Sequence, residues 1–368
     1  MPKIAVDAMG GDRAPAVVVE GAWLAAKDYG VEVILVGQKE AIERELSQLK
    51  AGGLTVVSAS QTVEMHESAS GALRKKDSSL KVAFDLMKSG EVQAVVSAGN
   101  SGAMMATGMF VVGRLPYVAR PAILVVVPSV GKGTVVVDAG ANVDCKPHHL
   151  AQFGIMGAIY AEHVLGIAKP RVGVLSNGEE NGKGTDLTRA ACALLAETSV
   201  NHVGYVEGRD VFNASVDVVV CDGFTGNVAL KTMEGVASFA GEVLKEAFQK
   251  NLSSRLGYLM TRKALREAYR RLDYAEYGGA PLIGLDGVAI VAHGGSNPLA
   301  IKNAIRAAKD AVEHNMNRHI VEVLGEGAAL GGDEKVGLTG KIWRRIKSSF
   351  SEKPESTPEK EERERGER

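Results

Sequence analysis

The stretch Val92-Gln93-Ala94-Val95-Val96-Ser97-Ala98-Gly99-Asn100-Ser101-Gly102 carries a short β-branched run directly into a cluster of glycine, asparagine and serine. A run of that length bounded by turn residues reads as a fully buried strand, and the cluster after it has the composition of a turn that opens a helix. The same grammar recurs along the chain. Residues 4–6 lead into Asp7-Ala-Met-Gly10-Gly11-Asp12, and residues 134–137 into Asp138-Ala-Gly140-Ala-Asn142-Val-Asp144. Residues 171–175 lead into the loop 176–185, residues 216–220 into Asp222-Gly-Phe-Thr-Gly226-Asn227, and residues 288–291 into His293-Gly-Gly-Ser-Asn297. Further β-branched runs occupy 31–36, 54–57 and 122–127. Between the runs lie stretches with helical spacing, such as Val17, Ala22, Ala25 and Ala26, or Ala151, Ile155, Ala158 and Ile159. This alternation predicts an α/β fold with a doubly wound, mostly parallel sheet and helices on both faces.

The chain has 368 residues, enough for one large or two ordinary domains with a core that needs no disulfide or metal. Apolar residues make up 45% and charged residues 24%, and 43 Lys+Arg against 44 Asp+Glu leave a net charge of −1. Global disorder and a whole-protein nucleic-acid field are thereby excluded, so a charged partner must meet a local patch. Glycine stands out: 43 residues, about 12% against roughly 7% in average proteins, without collagen periodicity. Cys145, Cys192 and Cys221 are odd in number and widely spaced, which gives neither a disulfide framework nor a CxxC site, and their apolar neighbours disfavour a reactive thiolate. The segment 1–7 lacks a signal-peptide hydrophobic region, and apolar runs such as 122–127 are far short of the ~18 residues of a membrane span, so a cytoplasmic protein is expected.

Any turn between a strand and a helix favours Gly, Asn, Asp and Ser for geometry and capping. Six clusters with one grammar point further, to a shared anion or phosphate site. If all strands ran parallel, their carboxyl ends would share one edge, and the loops leaving it would present helix N-termini to one crevice. No GxxxxGK[ST] is present, and Met9-Gly10-Gly11-Asp12 lacks the GxGxxG spacing, which disfavours ATP and dinucleotide chemistry. The loop Asn177-Gly178-Glu179-Glu180-Asn181-Gly182-Lys183-Gly184-Thr185 joins a cation to flexible backbone and amide donors, which suits a phosphate or a developing oxyanion. His148 and His149 follow Lys146-Pro147 before a helix expected from Leu150, so capping and surface exposure are predicted for them. No metal-ligand spacing, GxSxG or Cys/His constellation is readable, and an external nucleophile is expected in place of a covalent enzyme intermediate.

Val236, Phe239, Ala240, Val243, Leu244, Ala247 and Phe248 describe an amphipathic helix. A second is expected from Thr261, joined by a connector over 251–260, so that a helical pair protrudes at about 236–273. Residues 251–272 hold six basic side chains, among them Arg255, Arg262, Lys263 and Arg266, against one Glu, around the apolar Leu256, Leu259 and Met260. Dimer packing, an interfacial membrane contact and an acidic protein partner are all consistent with this patch. Residues 341–347 suit a short basic turn, and 351–368, with seven Glu, five Lys+Arg and no apolar residue, suit a disordered tail. The expected division is therefore an α/β domain at 1–333 and a tail at 334–368.

Taken together, 6–12, 97–103, 138–144, 175–180 with Lys183-Gly-Thr185, 222–227, and 279–284 with His293-Gly294 resemble the bacterial phosphate acyltransferase (PlsX) family, in order, over about residues 1–330. Ser101 stands where the family often has Thr, which keeps the hydroxyl. The resemblance implies a fold similar to isopropylmalate dehydrogenases and phosphotransacetylases, a homodimer, and no cofactor or metal. It also implies transfer of a fatty acyl group from acyl-acyl carrier protein to inorganic phosphate, giving acyl phosphate for the glycerol-3-phosphate acyltransferase of phospholipid synthesis. By motif match, Lys183 and Asn227 fall at the reacting centre, and Asp7, Gly10, Gly11, Asn100, Ser101, Asn142, Asn177, Gly178, Gly226 and His293 line the phosphate crevice. The patch at Arg255, Leu256, Leu259, Met260, Arg262, Lys263 and Arg266 would then meet carrier protein or a membrane surface. Rival expectations are a short-chain phosphotransacetylase acting on acyl-CoA, a non-catalytic carrier-protein scaffold, and a decarboxylating dehydrogenase with Asp138, Asp144 and Asp222 as metal ligands.

Overall fold

Among the described residues, eleven strands form one sheet in the order β3-β2-β1-β4-β11-β10-β5-β6-β9-β7-β8. In chain order the elements are β1 (Lys3–Asp7), α1 (Ala16–Tyr29), β2 (Glu32–Gly37), α2 (Lys39–Gln48), β3 (Thr55–Ser58), α3 (Ala69–Arg74), α4 (Ser79–Lys88), β4 (Ala94–Ser97) and α5 (Ser101–Val111). There follow β5 (Ala122–Val127), β6 (Thr134–Val137), α6 (Pro147–His163), β7 (Arg171–Leu175), α7 (Asp186–Ala196), β8 (Asn201–Val206) and β9 (Val218–Val220). The chain continues through α8 (Gly223–Gln249), α9 (Leu252–Leu272), β10 (Ala280–Ile283), β11 (Val288–Val291), α10 (Pro298–Glu313) and α11 (Met316–Ala329). This computed structural model describes residues 1–180, 182–272 and 278–329, with backbone alone at 266, 268–272 and 327–329. The expected tail, the basic turn at 341–347, Asn181 and the side chain of Arg266 lie outside the described residues.

The sheet is mostly parallel, but in two blocks of opposite sense. Strands β3, β2, β1, β4 and β11 run together, as do β6, β9, β7 and β8. Between the blocks, β10 is antiparallel to both β11 and β5, and β5 is antiparallel to β6. The single edge expected for all six glycine loops is therefore corrected: the loops after β1, β4 and β11 form one group, and those after β6, β9 and β7 form another. Strand side chains alternate between two cores, so that Ile4 and Val6 join the residues of α1, α6 and α10 while Ala5 packs with Phe84 of α4 and Met104 of α5. Both faces of the sheet are thus covered by helices, which is why its central strands read as unbroken apolar runs.

Two strands escaped the sequence reading. Strand β8 is one edge of the sheet, and its residues Asn201-His-Val-Gly-Tyr-Val206, partly exposed and broken by a glycine, lack the continuous apolar run of the buried strands. Strand β10 contains Pro281, which has no N–H to donate and ordinarily argues against an internal strand. The helical pair also differs from expectation. Helix α8 starts at Gly223, not near 236, and α9 starts at Leu252, so the expected connector at 251–260 is mostly helical. The physical signal was Asn251, whose Oδ1 accepts the Ser254 N–H at 2.8 Å, while Thr261 lies inside the helix and donates its hydroxyl to the Gly257 carbonyl. Helix α6 starts at Pro147, and His148 and His149 are buried rather than exposed; His149 does cap, its Nδ1 accepting the Lys146 N–H at 3.0 Å.

Candidate active site

The loops after β1, β4 and β11 touch through their backbones. A Cβ on Gly10 would stand 2.7 Å from Asp7 Oδ2 and 2.8 Å from the Gly99 nitrogen, so only glycine admits this approach. Asp7 is buried, accepts the Ser97 hydroxyl at 2.7 Å and the Met9 N–H at 3.2 Å, and its carboxyl is raised above the ordinary range by burial. Gly11 takes a φ of 108° beside Ala98 and Gly294, and the Asp12 N–H donates to the Gly294 carbonyl at 2.9 Å. Arg13 closes the group by donating to the Gly295 and Ser296 carbonyls, and His293 Nδ1 accepts the Gly295 N–H. Asn100 is wholly engaged: its Oδ1 caps α5 through the Ala103 N–H, and its Nδ2 donates to the Met65 and Glu67 carbonyls. The hydroxyl of Ser101 is exposed and makes no hydrogen bond among the described residues.

The loops after β6 and β9 are organised by Asp138, which is fully buried. Its Oδ1 accepts the N–H groups of Ile123, Gly140 and Ala141, and its Oδ2 those of the Asn142 backbone and side chain. Burial raises this carboxyl, opposed by the donors, and only the ionised form accepts all five. Asn142 also donates to the Pro121 carbonyl, and its own carbonyl accepts the Gly223 N–H at 2.7 Å. This draws the start of α8 onto the loop, with Gly223 against Asn142 and Gly226 against the Asp138 carbonyl. Asp222 caps α8 through the Thr225 N–H and hydroxyl. Asn227, one turn in and exposed, is set beside Gly140 and makes no hydrogen bond among the described residues. The engaged carboxylates of Asp138 and Asp222 thus serve the backbone, and among the described residues no group of three or more His, Cys, Asp or Glu is placed to hold a metal.

Strand β7 neighbours β9, which sets the loop 176–185 beside the β9 loop at the same block's carboxyl edge. Asn177 Oδ1 accepts the Gly184 N–H at 2.9 Å and closes the loop, and Gly178 is buried beneath the Glu180 and Lys183 side chains. Lys183 is exposed, and among the described residues its ammonium has no partner. Lys183 and Asn227 therefore lie on segments that follow adjacent strands, with no hydrogen bond between them. One buried apolar cluster runs under both loop groups: it includes Ala139 of the β6 loop and Ala103 and Met104 of α5, with Ala141 and Leu230 of α8 packed against it.

Of the residues expected at the site, Asn100 and Asn142 spend their amides, and Asn177 its Oδ1, on holding the loops, whereas Ser101, Lys183 and Asn227 make no hydrogen bond among the described residues. Ser97 and Gly223, which stood in the sequence motifs without a role of their own, and Asp138, read there only as a metal ligand of the rival dehydrogenase, fix loop geometry. Burial pushes the Cys145 thiol up to about 12 and raises Cys221 and Cys192, in line with unreactive cysteines.

The family model described as "Fatty acid synthesis protein" matches residues 2–319. Phosphate acyltransferase from Geobacter sulfurreducens is 56% identical over 323 residues, covering 87% of this chain and 93% of that protein. Phosphate acyltransferase from Geotalea uraniireducens is 55% identical over 327 residues, covering 88% and 94%. Among solved structures, a phosphotransacetylase from Streptococcus pyogenes shares the fold with a TM-score of 0.58 at 17% identity, covering 85% of this chain and 94% of that one. The EutD phosphotransacetylase from Staphylococcus aureus gives a TM-score of 0.55 at 14% identity, covering 84% and 94%. With paired glycine loops on the phosphotransacetylase fold and more than half of the aligned residues identical in these relatives, the chain belongs to the phosphate acyltransferase family of fatty acid and phospholipid synthesis.

Proposed function

We propose that this enzyme moves a fatty acyl group from acyl-acyl carrier protein to inorganic phosphate in one direct step. A phosphate oxygen attacks the thioester carbonyl carbon, the carbonyl oxygen takes up negative charge, and the carbon–sulfur bond then breaks. Hydrogen phosphate and thioester become acyl phosphate and free thiol, the phosphate proton ending on the departing sulfur. Phosphate is already ionised at neutral pH, so alignment and stabilisation of the oxyanion are asked for most of the acceleration.

The observation that carries this reading is the placement of Asn227. Five N–H groups on Asp138 shape the β6 loop, and two glycines let α8 sit on it so closely that the Asn227 amide stands at the loop surface with no hydrogen bond among the described residues. Lys183, on the adjacent strand's loop, supplies at the same edge a cation without a partner among the described residues. Asn227 and Lys183 would donate to phosphate and to the developing oxyanion. Ser101, at the start of α5, would donate to a remaining phosphate oxygen, and Asp7, Gly10, Gly11, Asn100, Asn142, Asn177, Gly178, Gly226 and His293 would hold the loops around it. Trapping with hydroxylamine tests the product: a hydroxamate of the donor's acyl chain should form only when phosphate is present. An acylated protein found by intact mass after incubation with donor alone would overturn direct transfer.

The pair α8 and α9 would bring the carrier protein or an anionic lipid surface to this centre, with a homodimer as the assembly. Leu256, Leu259 and Met260 are exposed on α9 close to Arg255, Arg262 and Lys263. Among the described residues no helix is long and apolar enough to cross a membrane, so such a contact would be interfacial. Product leaving here would be consumed by a glycerol-3-phosphate acyltransferase.

A further inference from the structure

Beside Asn227 stands an apolar surface that neither the loop architecture nor the outer helical pair accounts for. Phe224 and Val228 of α8 are 62% and 51% exposed, and Val143 on the β6 loop is 62% exposed. Phe224 precedes Asn227 by three residues and Val228 by four, so all three share one side of the helix. The opposite side, at Gly226, Leu230 and Met233, faces the protein interior. Asn227 therefore marks the border where α8 meets the loop, Phe224 lies next outward, and Val228 beyond it. Val143 and Phe224 are each the residue after a partner in the Gly223 N–H to Asn142 carbonyl bond, which brings their two backbones together. The patch also ends abruptly. Thr232, Gly235 and the ion pair of Lys231 with Glu234 at 2.8 Å interrupt the helix surface before Val236, Phe239 and Val243 resume an apolar stripe.

We propose that Phe224, Val228 and Val143 form the surface that grips the first methylenes of the acyl chain next to the reacting carbonyl, and so set the enzyme's preference for long over short acyl donors. The proposal rests on Asn227 being at the reacting centre. A fatty thioester whose carbonyl meets Asn227 must lay its chain along an adjoining surface, and water-exposed Phe and Val there gain by covering it. The surface is an open wall, not a closed pocket, so it rewards added methylenes without a steric limit on length at this point. An acetyl group has no methylenes to place on it.

The test is the ratio of kcat/KM for a 16-carbon donor to that for a 2-carbon donor, each on acyl carrier protein, with saturating phosphate. Phe224→Ala should lower this ratio about tenfold, as loss of contact with one or two methylenes predicts, and Phe224→Leu should restore most of it. Phe239→Ala, beyond the polar interruption, should leave the ratio unchanged. Because Val143 lies on a loop, Val143→Ser carries the same expectation should Phe224→Ala fail to fold. A ratio unchanged in active Phe224→Ala or Val143→Ser overturns the proposal. So does an unchanged ratio with an altered oligomeric state by size exclusion, which would assign the patch to a second copy of the chain. Wild-type turnover without phosphate would instead overturn the transfer reading itself, before any variant is compared.

Discussion

The α-carbon of Gly226 rests against the backbone carbonyl of Asp138 with no room between them for a methyl group. This contact seats α8 on the β6 loop. Gly226→Ala should push the helix start outward, lower stability by about 3 kcal/mol in urea unfolding, and reduce turnover with it. Gly235→Ala on the same helix meets open space and should instead stabilise by about 0.5–1 kcal/mol.

Asp138→Asn replaces an acceptor of five N–H groups by an amide that must point its own N–H groups at some of them. At least two donors lose their partner in either amide orientation, so a loss of about 2–5 kcal/mol is expected in chemical denaturation. Asp7→Asn should be milder, because the close donors to Asp7 among the described residues, the Ser97 hydroxyl and the Met9 N–H, are fewer than the five on Asp138.

Acid should destabilise the protein through α6. Burial lowers His148 to about 4 and His149 to about 3, below the ordinary 6.5. The unfolded chain then binds protons that the native chain refuses, so stability is undiminished above 6.5 and falls as pH drops from 6.5 towards about 4. Asp7 and Asp138, raised by burial, act in the opposite sense over the range just above 3.8. Urea midpoints at pH 7.5 and 5.5 should differ in wild type, and His149→Gln should narrow the gap.

Lys183→Ala and Asn227→Ala remove exposed side chains without hydrogen bonds among the described residues, so unfolding should change by no more than about 0.5 kcal/mol. Activity should still fall about 100- to 1000-fold in kcat for each. Full turnover in either folded variant would remove that residue from the reacting centre.

Leu256→Glu with Leu259→Glu should abolish co-sedimentation with anionic liposomes if the helical pair meets lipid. If it meets an acidic carrier protein, Arg255→Ala with Arg262→Ala should raise KM for the donor, and added salt should do the same in wild type. No change in partitioning, in KM or in oligomeric state would leave the patch without a role at the tip.

The buried strands and the loops that follow them were legible because a parallel strand covered on both faces is an apolar run, and Gly-Asn-Ser clusters have few other uses. The opposed sense of the two blocks was not legible, since local sequence around β5 and β10 carries no record of which neighbour each will pair with. Nor was the commitment of Asn100, whose partners Met65 and Glu67 lie more than thirty residues away. Asp138 looked like any acidic turn residue, because its five donors converge only when β5, β6 and the following loop are assembled. Lys183 was legible in the composition of its loop and Asn227 through motif resemblance, and the structure adds that their segments follow neighbouring strands of one block.

Free-thiol release from a long-chain acyl-acyl carrier protein, followed with and without inorganic phosphate, tests direct transfer to phosphate most immediately. The account predicts negligible release without phosphate, and with it one thiol for each acyl phosphate trapped. Thiol release at the same rate in the absence of phosphate would contradict it.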